Sequence, residues 1–312
     1  MSLGMRRLTL MLVLSLWGMG LTTILAAATN DAPPVSSGMS PRQENGLGIP
    51  GGGISGSGIA IDGTRFVLKN KDGRILDQSE LIGATFNFRD ANGAPLRVRL
   101  DGYINDPQDP TGEVLLYDFS YQDGTGQSHN ICPPGPDGLT KAFPMSGKWT
   151  DDGTHIADPT TFNLICTAGA IGKCVRFGFK PWGKPPAGAK DDVRMRDLHQ
   201  ACIRAVRADY CGDGIGNTEN GTLIDLFDRY GIFPEDPKAD AEKKLAFEAA
   251  FSPQGAICVA RTRIPERATL DSLAKACPRL AQKLGPACTE AEVKKNPQAI
   301  IFLKSIDRTV GK

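Results

Sequence analysis

Eight cysteines, Cys132, Cys166, Cys174, Cys202, Cys211, Cys258, Cys277 and Cys288, all lie beyond residue 130 of a 312-residue chain. An even set in an exported chain reads as a disulfide framework, because the compartment is oxidising. Such a framework restricts the C-terminal half to folds in which distant segments meet in pairs. It does not select the pairs, since roughly a hundred connectivities are open. One local option is visible. Pro278 starts and Gly285-Pro286 stops a short helix between Cys277 and Cys288, and the residues after the stop can return the chain far enough for these two to bond. No CxxC occurs, which weakens zinc-finger and thioredoxin readings.

Export is read from the N-terminus. "MRR" is a basic start, and Leu8 to Ala28 carry no charge. Ala26 and Ala28 are the small residues that signal peptidase prefers, so 1–28 reads as a signal peptide. The alternative is an uncleaved N-terminal helix that anchors the chain, since about 20 apolar residues span a bilayer. Gly18, Gly20, Thr22 and Thr23 make it a mediocre span. The expected location is extracytoplasmic, secreted or periplasmic. Removing the signal leaves 34 basic against 35 acidic residues, a net charge of −1. That balance provides no electrostatic footprint for nucleic acid, nor for a membrane beyond the export signal.

Residues 29–55 are rich in Pro, Gly and Ser and read as a flexible linker. "GLGIPG" and "GGGISG" match GxGxxG there, but no strand precedes and no helix follows, so they are not a nucleotide fingerprint. Residues 56–160 read as β-rich. Two short strands flank Asp62-Gly63, and a hairpin alternates Phe86 and Phe88 with Thr85 and Asn87 around an Ala91-Asn92-Gly93 tip. "EVLLYDFSYQ" and "TTFNLICT" add strands, while "NDPQDPTG" and "CPPGPDG" are loops.

Residues 161–312 turn helical and mixed. A helix is predicted over 191–209, with Asp191 and Asp192 near its start and Met195, Leu198, Cys202 and Ala205 along one face. A second is predicted over Lys238–Phe251, and one or two short ones over 269–284. Strands first and helices later predict an α+β fold: a β-rich N-terminal part followed by a disulfide-stapled helical and mixed part, the two open to forming one continuous fold.

"FNLICTAGAIGKCVRFGFKPW" (Phe162–Trp182), "ACIRAVRADYCGDG" (Ala201–Gly214), "GTLIDLFDRYGI" and "GAICVARTRIP" resemble the signatures of the ADYC domain family. The resemblance runs from about Gly83 to Cys288 and is densest from Gly147 to Ile232. It implies an exported bacterial protein and brings no assigned catalytic residue, so none is carried over.

Chemistry has four openings. His199 and Cys202 share a helix face, with Asp197 or Asp209 to orient the imidazole, but a mid-helix sulfur gains nothing from a helix N-terminus. Cys202 therefore reads as a half-cystine beside a surface histidine. His129, His155 and His199 are too scattered to suggest zinc. A partial EF-hand count runs through Asp209, Asp213 and Asn217, with Cys211 at loop position 3, Asn220 at position 12 and Glu219 beside it. Asp225 and Asp228 are one of many carboxylate pairs. Trp149 and Trp182 read as core or corner residues. Against the calcium count stands a structural helix stop. In it the Asp209 carboxylate accepts turn N–H groups or pairs with Arg204 or Arg207, Tyr210 is buried, Cys211 staples the turn, and Gly212 and Gly214 take conformations a β-carbon disfavours. No cofactor is expected, and the sequence names no partner. The expected function is a non-enzymatic binding or structural module; the alternative is a secreted hydrolase with an unrecognised active site.

If the signal is cleaved, N-terminal sequencing of exported protein will begin near Thr29. An intact Met1 product in the membrane fraction would show the anchor instead.

Overall fold

The computed structural model describes residues 59–89, 95–150, 153–159, 161–189 and 193–306. The signal, the linker, the hairpin tip and the Asp191-Asp192 pair lie outside the described residues. In chain order the elements are β1 (Ala60–Asp62), β2 (Arg65–Val67), β3 (Thr85–Arg89), β4 (Pro95–Asn105), β5 (Leu115–Gln122), β6 (Ser128–Asn130), β7 (Ala142–Ser146), β8 (Lys148–Trp149), β9 (His155–Ile156), β10 (Phe162–Cys166), α1 (Ala170–Arg176), α2 (Met195–Arg207), β11 (Ile224–Asp228), α3 (Pro237–Lys243), β12 (Leu245–Ser252), β13 (Gly255–Val259), α4 (Leu270–Ala276), α5 (Glu290–Val293) and β14 (Ile301–Ile306). The class is α+β, with an antiparallel sheet ordered β10-β7-β5-β4-β3, β6 beside β5, and a second ordered β11-β14-β12-β13.

The first sheet forms because its strands alternate. Phe86 pairs with Val98 and Leu100 with Phe119, all buried, while Arg97 and Arg99 point to solvent. Phe66 from β2 packs on this face at ring distances of 5.1 Å from Phe86 and 5.8 Å from Phe162. The buried Tyr117 hydroxyl donates to Gln78 Oε1 at 2.6 Å, so its polar end is satisfied.

The second sheet corrects one expectation. The predicted helix over Lys238–Phe251 is split: α3 stops at Lys243, Lys244 takes φ 55°, and Leu245–Ser252 is a strand. Helix-forming composition is overruled by burial on two sides. Leu226, Ala249, Phe251, Val259, Ile301 and Leu303 join the main core. Phe227, Ala250, Cys258 and Phe302 form a second one with Cys288, Val293 and Ala299. A strand that is apolar on both faces shows no period-2 alternation, so "LAFEAAF" reads as a helix.

All eight cysteines are paired: Cys132–Cys166, Cys174–Cys202, Cys211–Cys277 and Cys258–Cys288. The local Cys277–Cys288 pairing is therefore wrong. The intervening segment is drawn along β13, where Val259 N–H donates to Lys283 O at 3.0 Å and Val259 bridges Leu284. That brings Cys288 to Cys258 and leaves Cys277, at the end of α4, facing Cys211. Each closed loop, the shortest spanning 28 residues, removes unfolded-chain entropy. This is worth about 3–4 kcal/mol per bridge in the chain-entropy treatment.

Candidate functional site

The site begins as an ordinary problem, the end of a helix. The last four carbonyls of an α-helix have no partner within it. In α2 each finds one. Arg204 O accepts from Asp209 N at 2.8 Å, Ala205 O from Ala208 N, and Arg207 O from Asn217 N at 2.9 Å. The Arg263 guanidinium serves Ala205 O at 2.7 Å and Val206 O at 2.8 Å. Ala208 closes the helix in the left-handed region at φ 50°, held there by Asn217 Nδ2, which donates to its carbonyl.

The next residue is buried and charged. Asp209 Oδ1 accepts from Gly212 N at 2.8 Å and Asp213 N at 3.1 Å. Its Oδ2 accepts from Gly214 N at 3.0 Å and Arg204 Nη1 at 2.5 Å. Burial raises this carboxyl above its usual range, and Arg204 with the Gly214 N–H opposes that rise. Four donors on two oxygens match the ionised form, which is acceptor-only. Gly212 cannot be replaced simply: its φ is +73°, and a Cβ would lie 2.0 Å from Gln254 O. The turn thus lies backbone to backbone on the β12–β13 hairpin, where Ala256 N donates to Tyr210 O at 2.9 Å. Arg279 reaches the Tyr210, Cys211, Gln254 and Ala256 carbonyls across this contact.

Tyr210 points the other way, into the interior. Its hydroxyl donates to Glu248 Oε1 at 2.9 Å and accepts from Arg263 N at 2.8 Å. Burial and the Glu248 charge push its pKa well above the phenol range. Arg263 Nε donates to Glu248 Oε2 at 3.0 Å and Nη2 to Oε1 at 3.1 Å, with exposures of 1% for Arg263 and 0% for Glu248. Both are buried ions, and every guanidinium nitrogen has an acceptor.

The other sequence candidates are dispersed. Asp213 caps Ile215 N, Asn217 donates inward, and Glu219 lies 3.4 Å from Arg267, so the four candidate calcium ligands have separate partners. Among the described residues no group of three or more His, Cys, Asp or Glu is placed to hold a metal ion. His199 is fully buried and not on the surface: its Nε2 faces Ile171 O at 3.1 Å, its ring meets Trp149 edge-on, and burial pulls its pKa down to about 4. A carbonyl acceptor fixes the hydrogen on Nε2. Cys202 is bonded to Cys174, Asp197 to Arg194 and Asp209 to Arg204. The α2 cap is Arg194, whose N–H donates to Asp197; the helix begins after Asp191 and Asp192. Asp225 and Asp228, three apart on β11, point to opposite faces. Asp228 accepts from Tyr230 N and Phe233 N instead. Trp149 is core, and Trp182 is 37% exposed over Gly63.

Glu248, Arg263 and Arg279 were missed. Glu248 fell inside the mispredicted helix, and the two arginines carry no local sign that their partners lie tens of residues away.

A left-handed helix stop, a buried ion pair and four disulfides define a disulfide-stabilised α+β protein whose signature residues face inward. Residues 78–265 match the ADYC domain, more than half of the chain, and the chain belongs to that family. The match starts slightly before the resemblance noted above and ends before Cys277 and Cys288. No curated protein and no solved structure is significantly similar to the chain.

Asp209→Asn replaces an acceptor with a donor among four donors, and thermal stability will fall by the equivalent of about 2–4 kcal/mol. The loss will be the same with chelator present. Wild type that loses stability on chelation and regains it with calcium, while the mutant responds weakly, would place a calcium ion in this loop instead.

Proposed function

We propose that the chain is an exported structural or binding module, not an enzyme. The observation that carries this reading is where the ADYC side chains go. Ala208, Asp209 and Tyr210 are buried, and Cys211 is bonded to Cys277. Their polar atoms are occupied by the α2 terminus, the β12–β13 hairpin and the Glu248–Arg263 pair. A nucleophile must present a reactive atom beside a base to a substrate. These residues hold two parts of the fold together, so the signature specifies a scaffold, and recognition falls to its surface. Export is supported by the four disulfides, which persist in oxidising compartments. Among the described residues no helix is long and apolar enough to cross a membrane.

The test is a thiol-reactive activity probe together with a broad panel of ester, peptide and glycoside substrates, applied to the oxidised full chain. The scaffold reading predicts no labelling and no turnover above that of the heat-denatured protein. Saturable turnover abolished by a single conservative substitution would replace it with the hydrolase reading.

A further inference from the structure

The outer edge of the second sheet carries a cluster unrelated to the helix stop. Asp225 on β11 sits opposite Lys304 on β14 in the sheet register. Lys304 Nζ donates to Asp240 Oδ2 on α3 at 2.6 Å and pairs with Glu235, which precedes α3. Asp225 in turn takes a backbone N–H from Asp236. From α5, Glu290 lies 3.9 Å from Lys304 and pairs with Lys294, whose ammonium also stands 3.7 Å from Glu235. β12 places Phe247 opposite Lys304, and its titratable residue, Glu248, is turned to Tyr210 and Arg263. Carboxyls thus outnumber cations around this edge.

One contact in the cluster lacks a hydrogen. Asp225 Oδ2 and Asp240 Oδ1 are both buried, and neither receives a donor from another group. The two carboxyls lie within hydrogen-bonding reach of each other. Asp240 is 6% exposed and Asp225 is half-buried with its Oδ2 out of water, so water screens the pair weakly. Two neighbouring carboxylates with these oxygens buried cannot both ionise freely; a shared proton makes one a donor and satisfies both oxygens.

We propose that the Asp225–Asp240 pair is a proton-dependent clasp fastening the segment from Glu235 to Lys243 to the second sheet, tight while the pair holds a proton and looser once it is lost. Burial, then Asp240, push the Asp225 carboxyl up to about 6 from its usual 3.8, and the pair titrates as a unit. The sign follows. With the segment released, Asp225 ionises in its ordinary range, so between roughly pH 4 and 6 the closed form binds more protons than the open one. Closure therefore weakens as pH rises through that window and levels off above it. Ordinary ion pairs do the reverse: Asp109, held down to about 2 against its burial by Lys180 and turn N–H groups, loses its contribution only as pH falls through that range. The two effects occupy separate windows. Lys304 keeps its charge across both, since Asp240 and Glu235 raise its pKa against burial.

The test is hydrogen exchange of the amides of residues 235–244 in the full oxidised chain at pH 5 and pH 7.5, corrected for intrinsic rates. The opening constant in wild type will rise about tenfold between the two. In Asp225→Asn the amide donates permanently to Asp240 Oδ1, and the rise will disappear. A carbon-13 carboxyl titration of wild type is the second measurement and does not depend on the variant folding: Asp225 will titrate near 6. An Asp225 midpoint near 4, or a tenfold rise that survives in Asp225→Asn, overturns the clasp.

Discussion

The Arg263–Glu248 ion pair is the constraint on which the second half of the molecule depends. Both groups are out of water, and removing two charges from water costs several kcal/mol per ion unless hydrogen bonds replace it. Here the replacement ties three elements together. The guanidinium satisfies Glu248 on β12 and two carbonyls at the end of α2. The Arg263 backbone N–H and the Glu248 carboxylate both engage Tyr210. Helix, strand and turn cannot shift separately without leaving a buried charge or carbonyl unpaired. The Cys211–Cys277 bridge and the Arg279 contacts then lock the turn from its solvent side.

These contacts account for a motif of reactive residue types that lies in the interior. Asp, Tyr and Cys are catalytic residue types, and glycine-rich acidic loops bind metals. In this chain the same residues answer local needs: a buried aspartate gathers the N–H groups of a turn, a tyrosine brings a hydroxyl to an internal ion pair, and Gly212 allows one backbone to touch another. The signature residues are thus part of the interior contacts of the fold.

Much of the fold was legible because it follows local rules. The strands around Phe86 and Leu100 alternate, and the α2 face repeats at helical spacing. Asp209 could be read because the N–H groups it gathers belong to its neighbours in sequence. What was not legible depends on the second sheet having two buried faces. That hid β12 inside a helix-like composition, and with it Glu248. The disulfide pairs were hidden for a related reason: the Val259 contacts with Lys283 and Leu284 that decide between Cys258 and Cys277 as the partner of Cys288 are tertiary. The burial of His199 is not legible, because a polar residue at helical spacing does not reveal that a second helix covers it.

The most direct test is a double-mutant cycle on reversible unfolding with disulfides intact, using Glu248→Gln, Arg263→Met and the pair together. If the buried pair holds helix, strand and turn in register, each single change will cost about 3–5 kcal/mol, and the double mutant will lose well under the sum, because it strands no charge. Single losses below about 1 kcal/mol that simply add would contradict it, and would mean that the disulfides alone hold this region together.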